Sequence, residues 1–106
     1  MPISPEDFRA ALSRFPSGVT VVTTKNQEGK FHGITVSAFN SVSLEPPLVL
    51  VCLDRATASH QVLSESGIFA VNILSAEQSG LSEHFASMIP DKFEGIEYHL
   101  SEHGLP

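Results

Sequence analysis

The chain is poor in several things, and each shortage excludes something. It has one cysteine, Cys52, so no intramolecular disulfide can form. That cysteine falls in the apolar run "PLVLVCLD", where a buried, inert strand thiol is expected. Basic residues are scarce. Six Lys and Arg face twelve Asp and Glu, for a net charge of −6, which argues against nucleic-acid binding through a basic face. One local basic contact to a phosphate stays compatible with that total. No apolar run approaches the ~20 residues of a membrane span. The N-terminal "MPISPEDF" is polar and acidic, without the apolar stretch of a signal peptide. The expectation is a soluble cytoplasmic protein with no nucleic-acid and no membrane partner.

The usual chemical motifs are also missing. There is no GxGxxG and no GxxxxGK[ST], the common dinucleotide and triphosphate loops. The histidines are His32, His60, His84, His99 and His103. None belongs to HExxH or has a cysteine at metal spacing. His99 and His103 are four apart, but their stretch contains glycine and proline, and solvated histidines are expected there. "SEHF" lacks the nucleophile elbow of a serine hydrolase. A chain without a nucleophile, metal site or acid/base pair can still bind a cofactor that carries the chemistry.

What is there is one small domain, residues 1–106, with 42% hydrophobic and 17% charged residues, ordinary globular values. A domain this size buries about two-thirds of its unfolded surface and can hold a core without staples. "SPEDFRAALSRFPSG" predicts a helix. Ser4 suits the N-cap, Pro5 the first position and Glu6 and Asp7 the first turn. Phe8, Ala11, Leu12 and Phe15 share one face. "GVTVVTTK" is rich in β-branched residues and predicts a strand, "NQEG" a hairpin turn, and "KFHGITVSAF" the returning strand. Gly33 inside it predicts a bulge or a close approach by backbone or ligand. "NSVSLEPP" reads as a bend, and the continuously apolar "LVLVCLD" as a strand buried on both faces. "RATASHQVLSESG" ends in a short helix closed by Gly67. "IFAVNIL" predicts a strand, and "SAEQSGLSEHFAS" a helix opened by a Ser75–Gln78 capping box. About four strands and three helices result. The fold class expected is mainly β with peripheral helices, an antiparallel sheet or partial barrel.

The stretch "HGITVSAFNSVSLEPP", His32 to Pro47, raises a question. It carries Thr35, Ser37, Asn40, Ser41 and Ser43, with no acid before Glu45. Such a segment is either a plain strand and turn, or a pocket wall that reads a polar ligand through backbone and hydroxyl groups.

The order and spacing of "FRAALSRFPSGVTVVTT", "GITVSAFNSVSLEPPLVLVCLD", "SGIFAVNIL", "SEHFA" and "DKFEGIEY" resemble the flavin reductase family, the reductase components of two-component flavin monooxygenases and their relatives. The resemblance runs along the whole chain, and its second segment is the most specific. It implies a six-stranded antiparallel FMN-binding split barrel, a homodimer with flavin near the interface, and hydride transfer from NADH or NADPH to FMN or FAD, with an oxygenase as possible partner. Carried over residue by residue, Thr35, Val36, Ser37, Ala38 and Phe39 line the isoalloxazine ring, largely through backbone groups. Asn40 and Ser41 follow in the same loop. Asp54, Arg55 and Ser59 match the loop after the third strand, which holds the ribityl chain and phosphate; a guanidinium and a hydroxyl suit that anion. Phe85 and Lys92 match further flavin-side positions. Relatives continue past "EHGLP" through strands that close the barrel, including a Gly-Asp-His segment whose histidine helps place the nicotinamide. None of the five histidines here inherits that role. The resemblance therefore implies that the C-terminal barrel strands are absent, and that the chain is the N-terminal portion of a longer protein or completes itself by dimerisation. Two other classes stay open: a non-catalytic FMN-binding split-barrel protein, and a structural piece with no ligand.

Overall fold

A computed structural model of the chain describes residues 2–106, so Met1 alone of the expected domain lies outside the described residues. The architecture is mainly β with peripheral helices. Its elements run α1 (Pro5–Leu12), β1 (Thr20–Lys25), β2 (Phe31–Val36), β3 (Phe39–Ser43), β4 (Leu48–Val51), α2 (Ala58–Ser66), β5 (Ala70–Ile73), a 3-10 turn (Ala76–Gln78) and α3 (Ser79–Ala86). The strands form two antiparallel sheets. One has the order β2-β1-β5, and the other is the β3-β4 hairpin.

β1 is the central strand because its sequence suits both neighbours. β-branched residues fill it, and Val21 and Val22 are 4% and 1% exposed. Its threonines are buried too, and each hydroxyl has a partner. Thr20 Oγ1 donates to Val36 O at 2.6 Å, Thr23 Oγ1 to Pro106 O at 2.7 Å, and Thr24 Oγ1 to Ile68 O at 2.7 Å. Buried hydroxyls are tolerated when bonded in this way. Thr23 also ties the last residue of the chain to the sheet, and Leu105 beside it is buried. The β1–β2 turn is held by Asn26, whose Oδ1 accepts from Glu28 N and Lys30 N at 2.9 Å each.

The helices follow their caps. Ser4 Oγ accepts from Asp7 N at 3.1 Å, Thr57 Oγ1 accepts from His60 N at 3.2 Å, and Gly67 closes α2 with φ +70. The Ser75–Gln78 capping box is present. The apolar face of α1 exists but stays uncovered, with Phe8, Leu12 and Phe15 at 53%, 52% and 72% exposure.

Three expectations fail. The bend "NSVSLEPP" contains a strand, β3, so the described residues hold five strands. Asn and Ser have low strand propensity, and pairing with β4 overrides it. β4 is not buried on both faces; Leu48, Val49 and Leu50 are about half exposed, because the hairpin forms its own two-stranded sheet. Cys52, expected to be buried in that strand, lies just past it and is exposed.

Gly33 makes a close approach, to side chains. A Cβ there would lie 2.9 Å from two Phe85 ring carbons and 3.2 Å from Phe93 Cζ. Phe85 is 3% exposed and packs edge-on against Phe93 and His84, at centroid distances of 5.1 and 5.2 Å, so its ring cannot step aside. Gly33→Ala is expected to lower unfolding stability by about 1–3 kcal/mol through overpacking. Adding Phe85→Leu should recover part of that loss, a coupling that a double-mutant cycle in urea would measure; strict additivity would contradict the contact.

Candidate functional site

Two sequence segments come together where the β2–β3 turn meets the strand exit of β4. Val36 ends β2 and is buried. Ser37, Ala38 and Phe39 make a tight turn in which Phe39 N donates to Ser37 O at 2.9 Å, an inverse-γ type of reversal. The β3–β4 register pairs Phe39 with Val51, Asn40 with Leu50 and Ser41 with Val49. Cys52 N then donates to Ala38 O at 3.0 Å. Asp54 and Arg55 therefore follow β4, and not a third strand as expected from sequence, because β3 intervenes. Ser37, Ala38, Asn40 and Ser41 are exposed. Thr35 differs: its hydroxyl donates to Ser82 O at 2.6 Å and ties β2 to α3.

The second segment builds the start of α2. Asp54 Oδ1 accepts from Ala56 N at 2.9 Å, and Asp54 O accepts from Thr57 Oγ1 at 2.8 Å. These bonds fix a compact loop that leaves Arg55 exposed. Thr57, the N-cap, takes the His60 N–H. The N–H groups of Ala58 and Ser59 have no intrahelical acceptor, as at any helix start. Ser59 is 7% exposed as a residue; its hydroxyl is not sealed from solvent, makes no hydrogen bond among the described residues and borders a cavity of about 480 Å³. The other walls come from Phe31–Ile34 of β2 and from the chain after α3, including Met88 and Lys92.

Lys92 holds that second wall in place. Its Nζ donates to Gly33 O at 3.0 Å and to Phe85 O at 2.8 Å, so one ammonium joins the edge strand β2 to the end of α3. His84 Nε2 bonds to Lys92 O from the other side. Burial lowers the Lys92 pKa from its ordinary value. Phe85 does not face this cavity; it lies beneath Gly33 and lines a second cavity of about 520 Å³ between α3, β5 and the Ile96–His99 stretch. So Ser59 and Lys92 share one cavity, Thr35–Ser41 lies beside the loop that leads to it, and Phe85 sits in the core. His32 and Thr57 also line the first cavity and were not singled out from sequence. Thr57 carries an N-cap signal directly before the helix. Strand alternation turns His32 to the face opposite Gly33.

The Flavin reductase like domain family matches residues 12–106. A flavin reductase of Pseudomonas putida is 45% identical over 104 residues, covering 98% of this chain and 61% of that protein. The reductase subunit HsaB of a flavin-dependent monooxygenase from Mycobacterium tuberculosis is 42% identical, with 98% and 55% covered. Among solved structures, an NADH:FAD oxidoreductase of Streptomyces globisporus, in complex with NAD and FAD fragments, superposes with a TM-score of 0.83 at 37% identity, covering 98% of this chain and 64% of that one. The chain thus spans about three-fifths or less of the length of these curated relatives. Among the described residues no helix is long and apolar enough to cross a membrane, and no group of three or more His, Cys, Asp or Glu is arranged to hold a metal ion.

Two outcomes follow from Lys92 and His32. Lys92→Met removes two bonds to backbone carbonyls and should cost about 1–3 kcal/mol of stability in urea unfolding; an unchanged midpoint would contradict the clamp. The His32 pKa is lowered, first by desolvation and then by Lys30 and Lys92. The unfolded chain then binds more protons than the folded one just below the ordinary histidine range, so stability falls as pH drops through it. His32→Gln should flatten that acid slope in denaturation curves taken between pH ~7 and ~5.

Proposed function

This chain belongs to the flavin reductase like family, and on that premise we propose that it carries the flavin-binding part of an NAD(P)H-dependent flavin reductase. The parent protein hands reduced FMN or FAD to a monooxygenase. The observation that supports this most is Ser59, a residue only 7% exposed whose unbonded hydroxyl opens on a cavity at a helix start. Helix N-termini favour phosphate through free N–H groups and the helix dipole. Arg55, exposed one turn earlier, supplies a planar, permanently charged fork for the same anion.

The residues divide the work. Ser59, Arg55 and the Ala58 and Ser59 N–H groups hold the phosphate, and Asp54 shapes the loop that presents them. Ser37, Ala38 and Phe39, with Asn40 and Ser41, present backbone amides and small hydroxyls to the ring, and Thr35 and Val36 at the end of β2 hold that turn against the sheet. They read its rim without adding charge beside it. Lys92 and Phe85 act one step back, by fixing the edge of β2 and the wall after α3. When bound, the flavin supplies the hydride-accepting chemistry; the chain supplies position and a surface shielded from water.

A homodimer and an oxygenase partner are part of this reading. The uncovered apolar faces of α1 and of the β3–β4 hairpin, among them Phe15, Val42 and Leu44, support an assembly, since soluble monomers rarely leave such patches bare. A second copy of the chain is the occupant we assign to them. A cytoplasmic setting, where NAD(P)H is plentiful, completes the reading.

FMN and riboflavin differ by one phosphate, so comparing them isolates its site. The double variant Arg55→Ala/Ser59→Ala is expected to bind FMN roughly tenfold to a hundredfold more weakly, the scale of lost charge-assisted hydrogen bonds, with riboflavin binding unchanged. Equal losses for both flavins would move the phosphate elsewhere. Flavin binding with no loss of NADH absorbance would favour a binding protein over a reductase.

A further inference from the structure

One wall of the 480 Å³ cavity has no part in the assignments above. His32 lines it from β2, facing the α2 start that carries Thr57 and Ser59. Its register partner on β1 is Thr24, whose hydroxyl is already committed to Ser66 and Ile68 O and leaves the imidazole free. Lys92 stands on the far wall. An ammonium has three protons; two go to Gly33 O and Phe85 O, and one remains. No carboxylate lines the cavity among the described residues, in a chain whose acids outnumber its bases by twelve to six. The cavity is thus a pocket free of negative charge, with a fixed cation, an unpartnered hydroxyl and a helix start.

We propose that His32 is a further residue of the phosphate subsite. Resting on the flavin reading above, this makes His32 an additional cation, one that forms when the phosphate arrives, so capture of the flavin phosphate takes up a proton from solvent. The charged groups acting on the imidazole are Lys30, just ahead of its strand, and Lys92 from the chain after α3. The groups facing it from β1 and α2 are the neutral hydroxyls of Thr24, Thr57 and Ser59. Partial burial first, and then both lysines, hold the pKa of the free imidazole below its ordinary value. A phosphate dianion held at the α2 start beside His32 reverses that balance. Linkage fixes the sign: a group whose pKa rises on binding strengthens binding as pH falls. The ceiling is about tenfold in affinity for each unit that phosphate raises the imidazole pKa.

The test measures FMN and riboflavin affinity of the chain and of His32→Gln between pH ~8 and ~7, above the range where the phosphate itself takes its second proton. The expected result is an FMN advantage over riboflavin that grows several-fold toward low pH in the parent chain and stays flat in the variant. The same slope in both chains overturns the role of His32. A companion measurement on the unaltered chain follows the His32 imidazole by NMR while inorganic phosphate is added, and a rise in its pKa is expected. If no flavin binds but phosphate raises that pKa, the subsite stands and the flavin reading falls. If flavin binds while phosphate and FMN leave the imidazole unmoved, the proposal falls and the flavin reading stands. If neither ligand acts, both fall.

Discussion

The contact of Phe85 on Gly33 is the constraint from which the rest of this structure follows. β2 is an edge strand, and an edge strand needs cover on its face and an end to its free backbone. Gly33 provides the gap, Phe85 fills it, and Lys92 caps the exposed carbonyl at the same residue. That closure sets the end of α3 on the sheet and decides where the chain runs afterwards. The stretch from Ala86 to Lys92 then becomes a cavity wall opposite the start of α2. A side chain at position 33 would therefore disturb the core and the candidate site together.

The two sheets have different tasks. In the three-stranded sheet, threonine hydroxyls satisfy the carbonyls of Val36, Ile68 and Pro106 around the central strand. Those bonds let a polar sequence occupy a core position at little cost. The β3–β4 hairpin is less covered. It brings the turn at Ser37–Phe39 next to the loop at Asp54–Ser59 through the Cys52–Ala38 bond. Residues about twenty positions apart in sequence thus face one region, on elements anchored by the sheet and by α2. On the proposed reading, the small polar groups at the strand ends meet the flat, neutral end of the flavin and Arg55 its anionic end.

Much of this was legible in the sequence wherever a local signal existed. Ser4, Pro5, Gly67 and the Ser75–Gln78 pair marked helix ends by hydrogen bonds that form within a few residues. "GVTVVTTK" declared the central strand by its β-branched run. β3 was not legible. Asn40, Ser41 and Ser43 read as a bend, and only the non-local partner strand makes them a ladder. The exposure of Leu48–Leu50 and Cys52 was hidden for a similar reason: an apolar run shows what could be buried, and the neighbours decide whether it is. For the site, Ser59 was visible as a residue type in a resembling motif, whereas His32 was not, since its place depends on the cavity formed by α2 and the Lys92 stretch. Gly33 was flagged as a close approach, but its visitor is an aromatic ring of the chain itself.

The central claim is that Thr35–Ser41 and Asp54–Ser59 form one flavin-binding surface. Backbone amide NMR of the isotope-labelled chain during an FMN titration tests it most directly. The account predicts shifts concentrated in those two segments and in the adjoining cavity walls at His32 and Lys92. Shifts gathered instead around β5 and Ile96–His99, with the two segments unmoved, would contradict it.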